Sequence, residues 1–180
     1  MLAGPLSPTA AGQPAFVLDS SLDGRRLGGH EAFFEDVTAR LTIQQVSRGD
    51  AGVTFTPTSI DAPSFGFSSS SVWLRFTVEN PAPAAREWLL EFAYPHVDVV
   101  ELYVPTPEGD FARRVSGDRR PFRERDLPYR NVVFRLRQPP GPATYYLRAQ
   151  TTGSLTLPLV AWSPESFIGH LNEQQPVLWM

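Results

Sequence analysis

Trp73 and Arg75 stand two residues apart in the stretch Ser71–Asn80, SVWLRFTVEN. In an extended chain, residues i and i+2 project to the same side. The indole and the guanidinium therefore share a face, while Val72, Leu74, Phe76 and Val78 form the other, apolar one. A flat aromatic ring beside a fixed donor can hold a sugar or another planar ligand. The ring takes the C–H surface and the guanidinium takes paired oxygens. The same pair can also pack a sheet against a loop, and the residues leave both readings open.

Further strands carry similar chemistry opposite apolar faces. Glu91 opposes Trp88, Leu90, Phe92 and Tyr94, while Glu101 and Tyr103 oppose Val100, Leu102 and Val104. Tyr146, Arg148 and Gln150 oppose Tyr145, Leu147 and Ala149, and Arg130-Asn131 adds donors where another strand begins. If these strands share one sheet, its second face gathers Trp73, Arg75, Glu91, Glu101, Tyr103, Tyr146 and Arg148. Aromatic rings with a few convergent polar groups are the content of a small-ligand site. The structural alternative is a solvated face with cross-strand ion pairs Arg75–Glu91 and Arg148–Glu101, each contributing roughly 0–1 kcal/mol. Trp73 is then covered by the Ser59–Ser71 loop. A site built from loop tips is the third arrangement.

Other chemistries find little footing. The chain has no cysteine, so disulfides, thiol nucleophiles and cysteine–zinc centres are excluded. His30, His96 and His170 are scattered with no HxH or HExxH spacing, so neither a metal site nor a cofactor is expected. No GxSxG elbow or phosphate loop occurs. Glu91 and Glu101 resemble a glycosidase pair only if their carboxyls lie about 5 to 9 Å apart across a cleft; no catalytic activity is expected. The net charge is −3, which offers nothing to nucleic acid. All sixteen basic residues are arginine. Seven of them fall between Arg113 and Arg130, interleaved with Asp118, Glu124 and Asp126. This reads as a solvated loop, or as a contact for an anionic sugar, a lipid headgroup or a partner domain.

The elements that must position these groups are short. Eighteen prolines and thirteen glycines spread along 180 residues punctuate brief apolar runs, the pattern of many strands joined by turns. Strands are expected at Ala15–Leu18, Val53–Pro57, Ser71–Asn80, Arg86–Tyr94, Asp98–Val104, Phe111–Val115, Tyr129–Leu136, Thr144–Gln150 and Leu155–Trp162, the last interrupted by Pro158. Glu31–Asp36 reads equally as a strand or a helical turn. Ser59–Ser71 is expected to be a polar loop with Phe65 and Phe67 buried at one end of the core, and Pro139–Pro142 a tight break. Thr42 with Gln45 three residues on makes a capping box, and Gly49 ends that two-turn helix. Ser163-Pro164-Glu165 opens a second helix running to about Glu173. The sum is an all-β fold: a two-sheet antiparallel sandwich of the jelly-roll kind, with two short helices at its margins.

Six segments together resemble the extracellular domain type two of bacterial seven-transmembrane receptors with diverse intracellular signalling modules. They are SVWLRFTVEN (71–80), WLLEFAYPHVDVVELYV (88–104), GDRRPF (117–122), LPYRNVVFRL (127–136), YYLRAQTT (145–152) and SLTLPLVAWSPESF (154–167). The resemblance spans roughly Leu18 to Phe167. It implies a jelly-roll sensor similar to carbohydrate-binding modules, set in the periplasm as part of an inner-membrane protein. It also implies that the full-length protein continues into seven membrane helices and a histidine kinase or diguanylate cyclase output. On this reading residues 1–14 are a flexible lead, 15–168 the sensor, and 169–180 the end of the last helix and the approach to the membrane. The implied ligand is a carbohydrate or another small periplasmic molecule. The competing function is homodimerisation or protein docking, motivated by the arginine-rich loop and open edge strands.

Overall fold

The computed structural model describes residues 13–174. The lead at 1–14, except for its last two residues, and the apolar end at 176–180 lie outside the described residues. Among the described residues, thirteen strands and two α-helices follow one another. They are β1 (Phe16–Val17), β2 (Arg25–Arg26), β3 (Glu31–Asp36), α1 (Ile43–Arg48), β4 (Thr56–Thr58), β5 (Ser64–Phe67), β6 (Ser71–Asn80), β7 (Arg86–Phe92), β8 (Val99–Pro105), β9 (Phe111–Ser116), β10 (Val132–Gln138), β11 (Gly141–Gln150), β12 (Ser154–Thr156), β13 (Leu159–Trp162) and α2 (Pro164–Gln174).

The strands form an all-β sandwich. One sheet runs β4-β3-β6-β11-β8-β9, with β1 added in parallel to β6, and the other runs β10-β7-β13-β2. A small two-stranded ribbon, β12-β5, stands beside them. Every other strand pairing is antiparallel. The core lies between the two large sheets. Val72, Leu74, Phe76 and Val78 of β6 and Leu147 and Ala149 of β11 meet Trp88, Leu90, Phe92, Val132, Phe134 and Leu136 of β7 and β10. These are the apolar faces that period-two alternation marks in the sequence.

Both outer faces are partly roofed. Over the first sheet lies the segment 37–55 with α1, which buries Ile43 and Val46 against Trp73, Tyr103 and Tyr146. Thr42 and Gln45 make the expected capping box, and Gly49 closes the helix in the left-handed conformation at φ 72°. Over the second sheet lies α2, whose Phe167 packs with Leu89, Val133, Val160 and Trp162. The Ser163 hydroxyl caps α2 by accepting the Ser166 N–H at 3.1 Å.

Several expectations need correction. Glu31–Asp36, left open between a strand and a helical turn, is a strand, because β6 and β4 pair with its two edges. The Ser59–Ser71 loop contains a strand, β5, which forms only because β12 arrives from far along the chain. Phe65 packs on the core, edge-on to Phe33, but Phe67 is 84% exposed. Neighbouring positions along a strand face opposite ways, but Phe65 and Phe67 share a side, so β5 leaves the core before Phe67 is reached. The break at Pro139–Pro142 is shorter than expected, since β11 already begins at Gly141.

Candidate ligand-binding site

Six of the expected site residues do assemble. β6, β11 and β8 lie side by side, and register places Trp73, Arg148 and Glu101 in one row across them and Arg75, Tyr146 and Tyr103 in the next. The Arg148–Glu101 ion pair forms at 3.2 Å. Glu101 also accepts the Tyr103 hydroxyl at 2.8 Å and pairs with Arg113. Burial opposes ionisation of Glu101, but Arg113, Tyr103 and Arg148 outweigh it and hold its carboxyl below the usual range. Tyr103 is pushed up to about 12 by burial and by that carboxylate.

Of the two readings left open for this face, the structure shows the closed one. Trp73 is fully buried. Its ring stacks on Tyr103 at 5.4 Å, and the 37–55 segment covers it, not the Ser59–Ser71 loop. The Arg75 guanidinium lies 4.5 Å above the Phe55 ring, and Arg148 donates to the Ala39 carbonyl at 2.8 Å, fastening the cover down.

The remaining expected residues are elsewhere. Glu91 belongs to the second sheet and Asn131 lies just before its strand β10, so Arg75 and Glu91 cannot pair across strands. Glu91 sits under α2, accepting Trp162 Nε1 at 2.8 Å and Asn131 Nδ2 at 2.6 Å. Glu91 and Glu101 therefore occupy the outer faces of opposite sheets, which removes the glycosidase geometry. Arg130 is exposed, with its guanidinium 5.9 Å from the Tyr129 ring.

The open cavity is made from loop tips. A cleft of about 460 Å³ is lined by Phe67, Ser68, Ser69, Asp98, Val99, Arg119, Gln150, Thr151 and Thr152. That volume suits a small-molecule site. These residues come from the exit of β5, the entry of β8, the turn after β9 and the end of β11. Backbone bonds lace the loops together: Asp118 N–H donates to Val97 at 2.9 Å and Arg119 N–H to Asp98 at 3.1 Å. Gly117 permits this approach, with φ at 126° and no room for a Cβ against the Asp98 carbonyl.

The chemistry inside the cleft is mixed. Asp98 Oδ2 accepts the Thr152 N–H at 3.0 Å, the Thr152 hydroxyl at 3.1 Å and Arg119 Nη2 at 3.0 Å. Arg119 is 62% exposed at its side chain, so part of its donor fork faces solvent. The Gln150 amide, the Ser68 and Ser69 hydroxyls and the bare Phe67 ring complete the lining. An apolar ring face, a fixed carboxylate and outward N–H groups can together grip a polyhydroxylated ring. From the sequence, Phe67 is expected in the core, while Arg119 is left between a solvated loop and a contact for an anionic sugar, a headgroup or a partner domain. The available signal was that three segments carrying the family resemblance, at 88–104, 117–122 and 145–152, supply residues to this cleft.

No curated protein matches the chain. Residues 28–163 match the family model described as 7TMR-DISM extracellular 2, and that span holds both sheets apart from β1 and β2. The chain therefore belongs to this family of extracellular receptor domains, whose role is sensory.

Proposed function

We propose that this domain is the periplasmic ligand sensor of a bacterial transmembrane receptor, and that it binds a carbohydrate or similar small polyol in the loop-tip cleft without chemically altering it. The observation that carries the reading is that an exposed Phe67 ring and the Asp98–Arg119 pair line one cavity of ligand size. At the end of β5 the ring offers an apolar face on which the C–H surface of a sugar can stack. Occupancy is relayed to a membrane region and a kinase or cyclic-dinucleotide output outside this chain. Docking through the arginine-rich loop has less support, because Arg114, Arg119, Arg120 and Arg125 are each paired with a carboxylate of the same chain.

The test is a glycan screen followed by calorimetry on the hits. Phe67→Ala and Arg119→Gln are each expected to weaken binding at least tenfold, on the order of 1.4 kcal/mol. Trp73→Phe is expected to leave binding unchanged. Affinity that survives both cleft substitutions would move the site away from the cleft.

A further inference from the structure

Among the described residues, Glu31 is a carboxyl whose two oxygens are both buried and unpartnered. It opens β3 and is fully buried, and neither carboxylate oxygen has a hydrogen-bond partner. It points inward, because it shares a side of β3 with Phe33, which packs on the core. Its strand neighbours are Phe76 of β6 and Thr58 of β4, so no cation comes from either flank. Among the described residues no arginine pairs with it.

A second carboxylate is delivered to the same place. The Glu31–Thr58 pairing ends β4, and the turn that follows, closed by the Ile60 N–H on the Thr58 hydroxyl at 3.1 Å, presents Asp61. The Asp61 side chain settles against Gly28, where any Cβ would collide with it. The Leu27–His30 turn, bonded at 2.9 Å, fixes that glycine three residues before Glu31. Burial and then the neighbouring Asp61 push the Glu31 carboxyl up to about 8. An unpaired carboxylate at such a depth costs several kcal/mol, which a bound cation can offset.

We propose that Glu31 and Asp61 form the anionic half of a binding site for one hard divalent cation, Ca²⁺ or Mg²⁺. Two carboxylates carry the charge that one such ion neutralises, and all-oxygen donors select hard ions over zinc or copper. Glu31 supplies the inner donor, rigid in the core. Asp61, exposed at the rim, supplies the outer one and the route of entry. Water and backbone carbonyls complete the coordination. The ion ties the Leu27–Glu31 turn to the β4–β5 connection, two segments about thirty residues apart in the chain. This site is separate from the loop-tip cleft and does not rest on the proposed ligand.

The full chain, stripped with EDTA at about pH 8, is titrated with CaCl₂ and MgCl₂ by calorimetry and followed by thermal melting. One ion is expected to bind with a Kd in the range of about 10⁻⁴ to 10⁻³ M and to raise the midpoint saturably. Binding is expected to weaken towards about pH 6, because the ion must displace the proton from Glu31. Glu31→Gln and Asp61→Asn each abolish the response, and in EDTA Glu31→Gln melts no lower than the wild type. Asp61→Asn, at an exposed position, carries the test if the core variant fails to fold. Asp98→Asn, in the cleft, leaves ion binding intact. No heat and no midpoint change up to about 10 mM ion would overturn the proposal and leave Glu31 as a buried, protonated carboxyl. A response retained by Glu31→Gln and Asp61→Asn would equally overturn it, placing the ion elsewhere.

Discussion

Glu91 and Glu31 are two buried carboxylates with opposite circumstances. Glu91 is 3% exposed, and its two oxygens accept Trp162 Nε1 and Asn131 Nδ2. Replacing it with alanine leaves both donors buried without a partner, a loss of about 3 kcal/mol expected from the two groups together. Urea unfolding should show the Glu91→Ala midpoint well below wild type, with Glu91→Gln intermediate; equal midpoints would mean that α2 tolerates open donors. The sequence shows that Glu91 opposes Leu90, and it shows nothing of what lies over it. Its partner Trp162 is seventy-one residues away, and distance along the chain carries no information on that meeting. Phe67 is the mirror case: its type argues for burial, and only the path of β5 puts it outside.

At the scale of elements, the cover over the first sheet was half legible. Thr42, Gln45 and Gly49 specify α1 locally, because caps act within one turn. Where α1 docks depends on Asp36 at the end of β3. Its carboxylate accepts the Thr38 N–H at 3.0 Å, the Thr38 hydroxyl at 2.6 Å and the Leu41 N–H at 3.0 Å, turning the chain back over Trp73. Burial works against this carboxylate, but the hydrogen bonds win and hold it below the ordinary 3.8. A lowered folded value means stability present above that ordinary value and lost as pH falls through the folded one. Hydrogen-exchange protection in 37–55, taken relative to the intrinsic rate at each pH, should therefore fall in acid below about pH 4, and Asp36→Asn should show the low protection already at neutral pH. Flat protection across that range would refute the latch. The arginine-rich loop also has an element-scale role. Arg114 of β9 donates to the Arg135 carbonyl, and Asp126 of the loop accepts the Arg135 N–H at 2.8 Å, so the two together blunt the free edge of β10.

At the scale of the molecule, two sheets enclose one core and each outer face has its own roof. The α2 roof hangs on Phe167, which is 1% exposed and meets Tyr129 and Trp162 edge-on. Phe167→Ala should cost about 3 to 4 kcal/mol in denaturant unfolding, and at subunfolding denaturant it should expose Trp162 to a fluorescence quencher. Unchanged quenching would show that α2 holds by other contacts. By itself the sequence determined the strand faces, both helix caps, the all-β class and the family, because alternation, capping and segment resemblance are local properties. Which strands became neighbours, and hence that Glu91 and Glu101 part company, that Trp73 is roofed and that Phe67 and Arg119 meet in a cleft, was decided by the tertiary structure. Those outcomes depend on pairings between residues far apart in the chain, and the free energy that selects them comes from burying the whole core at once.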